Sequence, residues 1–120
     1  MRDALRRFDR LVADALTAPD PVAVFRGAAA EEWPPDLRGA IAAAAAAEDG
    51  VRLTALLVAK LRFERLIHGS RRAGEWFRRD AAGFADAFRG YHGAVPPTAT
   101  DPRGEAALFE RWLEGSEART

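Results

Sequence analysis

Outside simple packing, the residues that could do chemistry are two histidines, one serine and a run of arginines. His68 and His92 lie far apart, and the one ligand-like helical spacing is Glu64 to His68, an i, i+4 pair. Two such groups fall short of a protein metal site. At a helix C-terminus a carboxylate and an imidazole form a surface pair that the helix dipole favours. Ser70 follows Gly69 and lies close to His68, but it lacks the strand-turn-helix setting that exposes a hydrolase nucleophile, and helix capping accounts for it. No glycine-rich loop precedes a Lys-Ser or Lys-Thr pair, and without cysteine there is neither thiolate nucleophile nor disulfide. The chain is therefore expected to be a non-enzyme with no catalytic residue, metal or cofactor of its own.

The arginines carry the stronger signal. Between residues 51 and 79 there are eight basic side chains, Arg52, Lys60, Arg62, Arg65, Arg71, Arg72, Arg78 and Arg79, against two acidic ones, Glu64 and Glu75. That excess of +6 is hidden in a chain of zero net charge, so the remaining residues carry −6. Asn and Gln are absent and only Lys60 among the basic residues is not arginine, a bias that points to codon usage and weakens arguments from single arginines. Three readings fit the stretch. It is a solvated helix face, or a helix-turn-helix in which phosphate attraction dominates because no Asn or Gln can read bases. Or it is a docking face for an acidic peptide or protein, with Trp76, Tyr91 and His92 at its edge. Aromatics that anchor a core share their spacing with those that anchor a partner, and exposure separates the two.

The elements that position these residues are helices throughout, since apolar residues recur at spacings of three and four and no period-two alternation appears. Leu5, Phe8, Leu11, Val12, Ala15 and Leu16 predict a first helix ending near Thr17. Asp20-Pro21 opens a second with Val22, Val24 and Phe25, and Asp36 is expected to cap a third through Leu37 and Ile41, ending at Asp49 and Gly50. A fourth helix over residues 51–67 is apolar on more than one face, through Leu53, Leu56, Leu57, Val58, Leu61, Phe63, Leu66 and Ile67. It should sit at the centre of the fold. Gly69 suits a left-handed cap and Ser70 starts a short helix over residues 71–79. Asp80 opens a helix through Phe84, Phe88 and Tyr91 that ends by Gly93. Asp101-Pro102 opens the last one, in which Leu108, Phe109, Trp112 and Leu113 close the core and Trp112 is expected to be buried.

From about Leu56 onward the chain resembles small helical partner subunits, described as DNA-binding domain proteins, of multinuclear non-haem iron-dependent oxidases that modify ribosomally synthesised peptides. The likeness lies in Leu61-Arg62-Phe63-Glu64-Arg65-Leu66, Trp76-Phe77, Phe84, Phe88, Tyr91-His92, Val95-Pro96-Pro97-Thr98, Glu105, Phe109 and Trp112-Leu113. It implies an all-helical accessory subunit that binds the oxidase and presents an acidic precursor peptide, with iron and catalysis in the other chain. A complete member would carry a second domain after Gly115.

The expectation from sequence is an all-α, single compact bundle of about six or seven helices over residues 1–115, with a frayed tail at 116–120. The expected peptide- or partner-binding residues are Arg62, Arg65, His68, Arg71, Arg72, Arg78, Tyr91 and His92. The expected partners are an iron-dependent peptide-modifying enzyme and its acidic precursor peptide, with nucleic acid as the alternative and a purely structural interaction module as another. Charges throughout the first sixteen residues argue against a signal peptide, and no stretch of about 18 uncharged apolar residues could span a membrane, so a cytoplasmic location is expected.

Overall fold

A computed structural model describes residues 2–118, and in it the chain is all-α: seven helices and no strand among the described residues. They are α1 (Arg2–Thr17), α2 (Pro21–Ala29), α3 (Pro35–Ala46), α4 (Glu48–Gly69), α5 (Arg71–Arg79), α6 (Ala81–Ala94) and α7 (Pro102–Ala118). No helix among the described residues is long and apolar enough to cross a membrane.

Local chemistry accounts for most of the helix ends. Asp20 accepts a hydrogen bond from the Ala23 amide at 3.2 Å, Asp80 from Gly83 at 3.0 Å and Asp101 from Gly104 at 2.6 Å, so a short carboxylate satisfies a donor that the first turn would otherwise leave unpaired. Ser70 does the same for Ala73 at 3.1 Å. Four expected boundaries are corrected. Asp36 is not a cap: Pro34 holds that position without a side-chain bond, and Asp36 lies in the first turn, facing the positive end of the helix dipole. Asp49 and Gly50 do not end α3 but belong to α4, which starts at Glu48 after a break of one residue, Ala47. Gly69 is not left-handed, since no glycine among the described residues has positive φ. Finally, α7 continues past Gly115 to Ala118; residues 119–120 of the expected frayed tail lie outside the described residues.

By their contacts the helices fall into two compact units, Met1–Val58 and Ala59–Thr120. In the first, α1 packs on α2 and α2 on α3. Ala28, Trp33, Leu37 and Ile41 make its buried cluster, with Ala4, Phe8 and Leu11 of α1 against it. Trp33 donates its indole N–H to the Ala28 carbonyl at 2.9 Å, and the Arg7 guanidinium lies 3.7 Å from the centre of its ring.

The second unit is built on aromatic contacts. Leu66, Ala73, Phe84, Phe88, Tyr91, Phe109 and Leu113 are buried, and Phe63 sits edge-on to Phe77, Phe84 and Phe88 at 5.3–5.5 Å between ring centres. Trp112 is half-buried instead of buried. It stacks on Phe109 at 6.0 Å, so the core contact that the spacing indicated is present while part of the ring stays open to water. Gly69 has a packing reason in place of a conformational one: a Cβ there would overlap the Pro102 carbonyl, so α4 and the start of α7 meet at a distance that only glycine permits. The expected centrality of α4 is also corrected. Its buried residues are Arg62 and Leu66, whereas Leu53, Leu56, Leu57 and Leu61 are exposed.

Candidate functional site

The basic residues separate into two groups in the second unit, those drawn inward by carboxylates of α7 and those left on the outer face of α5. Arg62 belongs wholly to the first. It is fully buried, and both Nε and Nη2 donate to Glu105 Oε2, at 3.1 and 3.0 Å. Its Nη1 donates to the Val95 carbonyl at 2.8 Å and lies 3.2 Å from His92 Nδ1. An arginine can only donate, so that contact calls for the histidine tautomer protonated on Nε2. The guanidinium also lies 4.5 Å from the centre of the Tyr91 ring, while the Tyr91 hydroxyl donates to the same Glu105 Oε2. Burial, and then this hydrogen bond to a carboxylate, push the Tyr91 phenol well above its usual range.

Arg62 and Tyr91 are therefore core residues and not part of a water-facing surface. His92 is half-buried, stacked on Phe88 at 5.4 Å between ring centres. Arg65 is mostly covered, 3.9 Å from the second oxygen of Glu105 and 3.4 Å from the Ala99 carbonyl. Glu105 holds this network together. Its signal in the sequence was its register: one turn before Phe109 and three residues before Leu108, it sits on the apolar stripe of α7, where a carboxylate needs a buried partner. Arg62, one turn before Leu66, occupies the matching stripe of α4.

Arg72 is also neutralised by α7, at 3.3 Å from Glu110 and 2.8 Å from Glu117. The hydrogen bond to Glu117 is the main reason that its guanidinium holds its proton more firmly than usual. The second group remains on α5. Ser70 caps this helix, and Ala73 and Gly74 are buried, Gly74 so close to the Ile67 carbonyl that a Cβ would stand 3.2 Å from it. That close seating turns Arg71, Arg72, Glu75, Trp76, Arg78 and Arg79 outward along one face. Arg71 is 92% exposed and stands 3.7 Å from Glu75, a weak pair one turn apart. Arg78, Arg79 and His68 are exposed, and none of the three forms an ion pair among the described residues. Arg72, Glu75, Trp76 and Arg79, at positions i, i+3, i+4 and i+7, line a shallow recess of about 360 Å³. Trp76 forms its apolar wall and meets Phe84 of the core at 5.8 Å on its other side.

Of the expected binding residues, Arg71, Arg72 and Arg78 lie on α5 and His68 is exposed at the end of α4; Arg62, Arg65, Tyr91 and His92 belong to the Glu105 network. Arg79 and Trp76 complete the recess, and their signal was the same i, i+3, i+4, i+7 spacing that marks any helix face. Among the described residues no three His, Asp or Glu side chains come together as ligands. The chain matches no family model, no curated protein and no solved structure.

Proposed function

We propose that this protein is a non-catalytic binding subunit that seats an acidic peptide segment along α5. The supporting observation is the contrast within that helix: Arg72 is neutralised by two carboxylates of α7, whereas Arg78 and Arg79 stand exposed without one, Arg79 at the edge of the Trp76 recess. A peptide carboxylate would gain a charge-assisted hydrogen bond from Arg79 without displacing an existing partner, and an apolar side chain beside it would cover the indole. The resemblance noted above extends this to a cytoplasmic accessory role, in which an iron-dependent peptide-modifying oxidase supplies the chemistry and this chain holds the acidic precursor.

The test is fluorescence anisotropy with a labelled acidic peptide, with a DNA duplex of similar charge as competitor. Submicromolar peptide binding at low salt is expected, weakened roughly tenfold or more by the double change Arg78→Glu and Arg79→Glu in a protein of unchanged helicity. Unchanged affinity in that variant removes the α5 face, and preference for the duplex replaces the peptide with nucleic acid. Co-expression with an iron-dependent peptide-modifying oxidase tests the partner: elution as one complex supports the accessory role, and separate elution counts against it.

A further inference from the structure

Like Trp76, Trp112 keeps part of its ring in water, and it too has an exposed guanidinium beside it. Arg111, Trp112, Gly115 and Ser116 line a recess of about 340 Å³ on α7, which continues as helix past them to Ala118. The inner side of the indole is fixed. It stacks on Phe109 at 6.0 Å and meets Tyr91 at 5.9 Å, and it lies so close to α6 that a Cβ on Gly90 would stand 3.2 Å from its Cζ2. Gly115 leaves the recess open on the side of α7 itself: a Cβ added there meets nothing within 4 Å, so a side chain would enter the recess without displacing a neighbour. Arg111 is exposed and forms no ion pair among the described residues, not even with Glu114 three residues on. This recess is separate from the one on α5. Glu110 and Glu117, which hold Arg72, lie about 140–160° around the axis from Trp112 and Gly115 at 100° per residue, so the two recesses open on different sides of α7.

We infer that the α7 recess is a second seat for a peptide carboxylate with an apolar side chain next to it. The class of ligand rests on the α5 proposal; the place does not. The unpaired guanidinium of Arg111 selects an anion, and its planar fork matches a carboxylate with two parallel hydrogen bonds. The open indole selects an apolar neighbour. Because the core already holds this ring in place, covering it removes apolar surface from water at little cost in rotamer freedom. Ser116 adds a hydroxyl that either donates or accepts, so a peptide amide or carbonyl passing the recess finds a partner. Since the two seats face apart, a short peptide fills each of them independently, two to a chain, whereas a longer one that passes round α7 gains from both at once.

The experiment is isothermal titration calorimetry of the whole chain with a short peptide containing Asp-Phe, blocked at both ends so that its only carboxylate is the aspartate's. Two peptides per chain are expected. Arg111→Glu with Gly115→Leu, both at exposed positions, should reduce this to one, and so should Arg78→Glu with Arg79→Glu; circular dichroism verifies that helicity is unchanged. Gly115→Leu alone fills the recess, leaves the charges in place and should weaken the α7 seat roughly tenfold. One peptide per chain that is lost with the α5 change and kept with the α7 change overturns this inference and leaves the α5 seat standing. One peptide lost with the α7 change alone upholds the seat on α7 and removes the one on α5. No binding at all overturns both, and two peptides still bound by the α7 variant place the second one elsewhere.

Discussion

Arg62 and Glu105, 43 residues apart in the chain, meet at 3.0 Å with neither side chain exposed to water. The pair joins α4 to α7, and Glu105 shares one oxygen with the Tyr91 hydroxyl, so three helices depend on a single carboxylate. Such a pair is a weak source of net stability, because desolvation offsets most of its attraction, yet it is intolerant of losing one member.

Glu105→Ala should therefore destabilise the protein by about 3–5 kcal/mol, since it strands a buried guanidinium. Replacing both partners, Arg62→Met with Glu105→Leu, should cost much less than the single change. Urea denaturation of the three proteins measures this, and a double variant at least as unstable as Glu105→Ala would mean that the network contributes more than charge balance.

Tyr91 is the chain's one tyrosine, so absorbance of tyrosinate reports on it alone. Its folded-state pKa is raised by burial and by Glu105, so the stabilisation is complete below the unfolded value of about 10 and is lost as pH rises above it. Ionisation should coincide with unfolding on alkaline titration. In Tyr91→Phe the decline in stability above about pH 10 should be shallower. Free titration of the phenol in the folded protein would show that the hydroxyl reaches water.

Two glycines of α4 should respond with opposite sign to the same change. Gly50→Ala meets nothing within 4 Å and should stabilise by about 0.5–1 kcal/mol, the helix-propensity gain. Gly69→Ala forces a methyl into the Pro102 carbonyl and should lower the melting temperature in spite of its better propensity. Equal shifts would show that α7 can retreat from α4.

Among the arginines, sensitivity of peptide binding should follow exposure and not position in the basic run. Arg79→Glu should weaken an acidic peptide more than Arg65→Glu, which acts on a group already facing Glu105 of α7. The order is read from anisotropy titrations at one fixed salt concentration, and greater sensitivity to Arg65→Glu would place the docking face on α4.

Helix content and most helix ends were legible in the residues, because both are local. Asp20, Ser70, Asp80 and Asp101 cap within three residues of themselves, and stripes such as Phe84, Phe88 and Tyr91 declare their buried side by period alone. The fate of the charges was not legible. Whether a guanidinium faces water depends on which partners folding brings to it, and Arg62 differs from Arg79 through Glu105, Tyr91 and Val95, all distant from it in sequence. The leucines of α4 show the same limit from the apolar side. Their spacing states that the helix has a surface to bury, but not which of those leucines the fold covers, and Leu53, Leu56, Leu57 and Leu61 are exposed while Leu66 is buried.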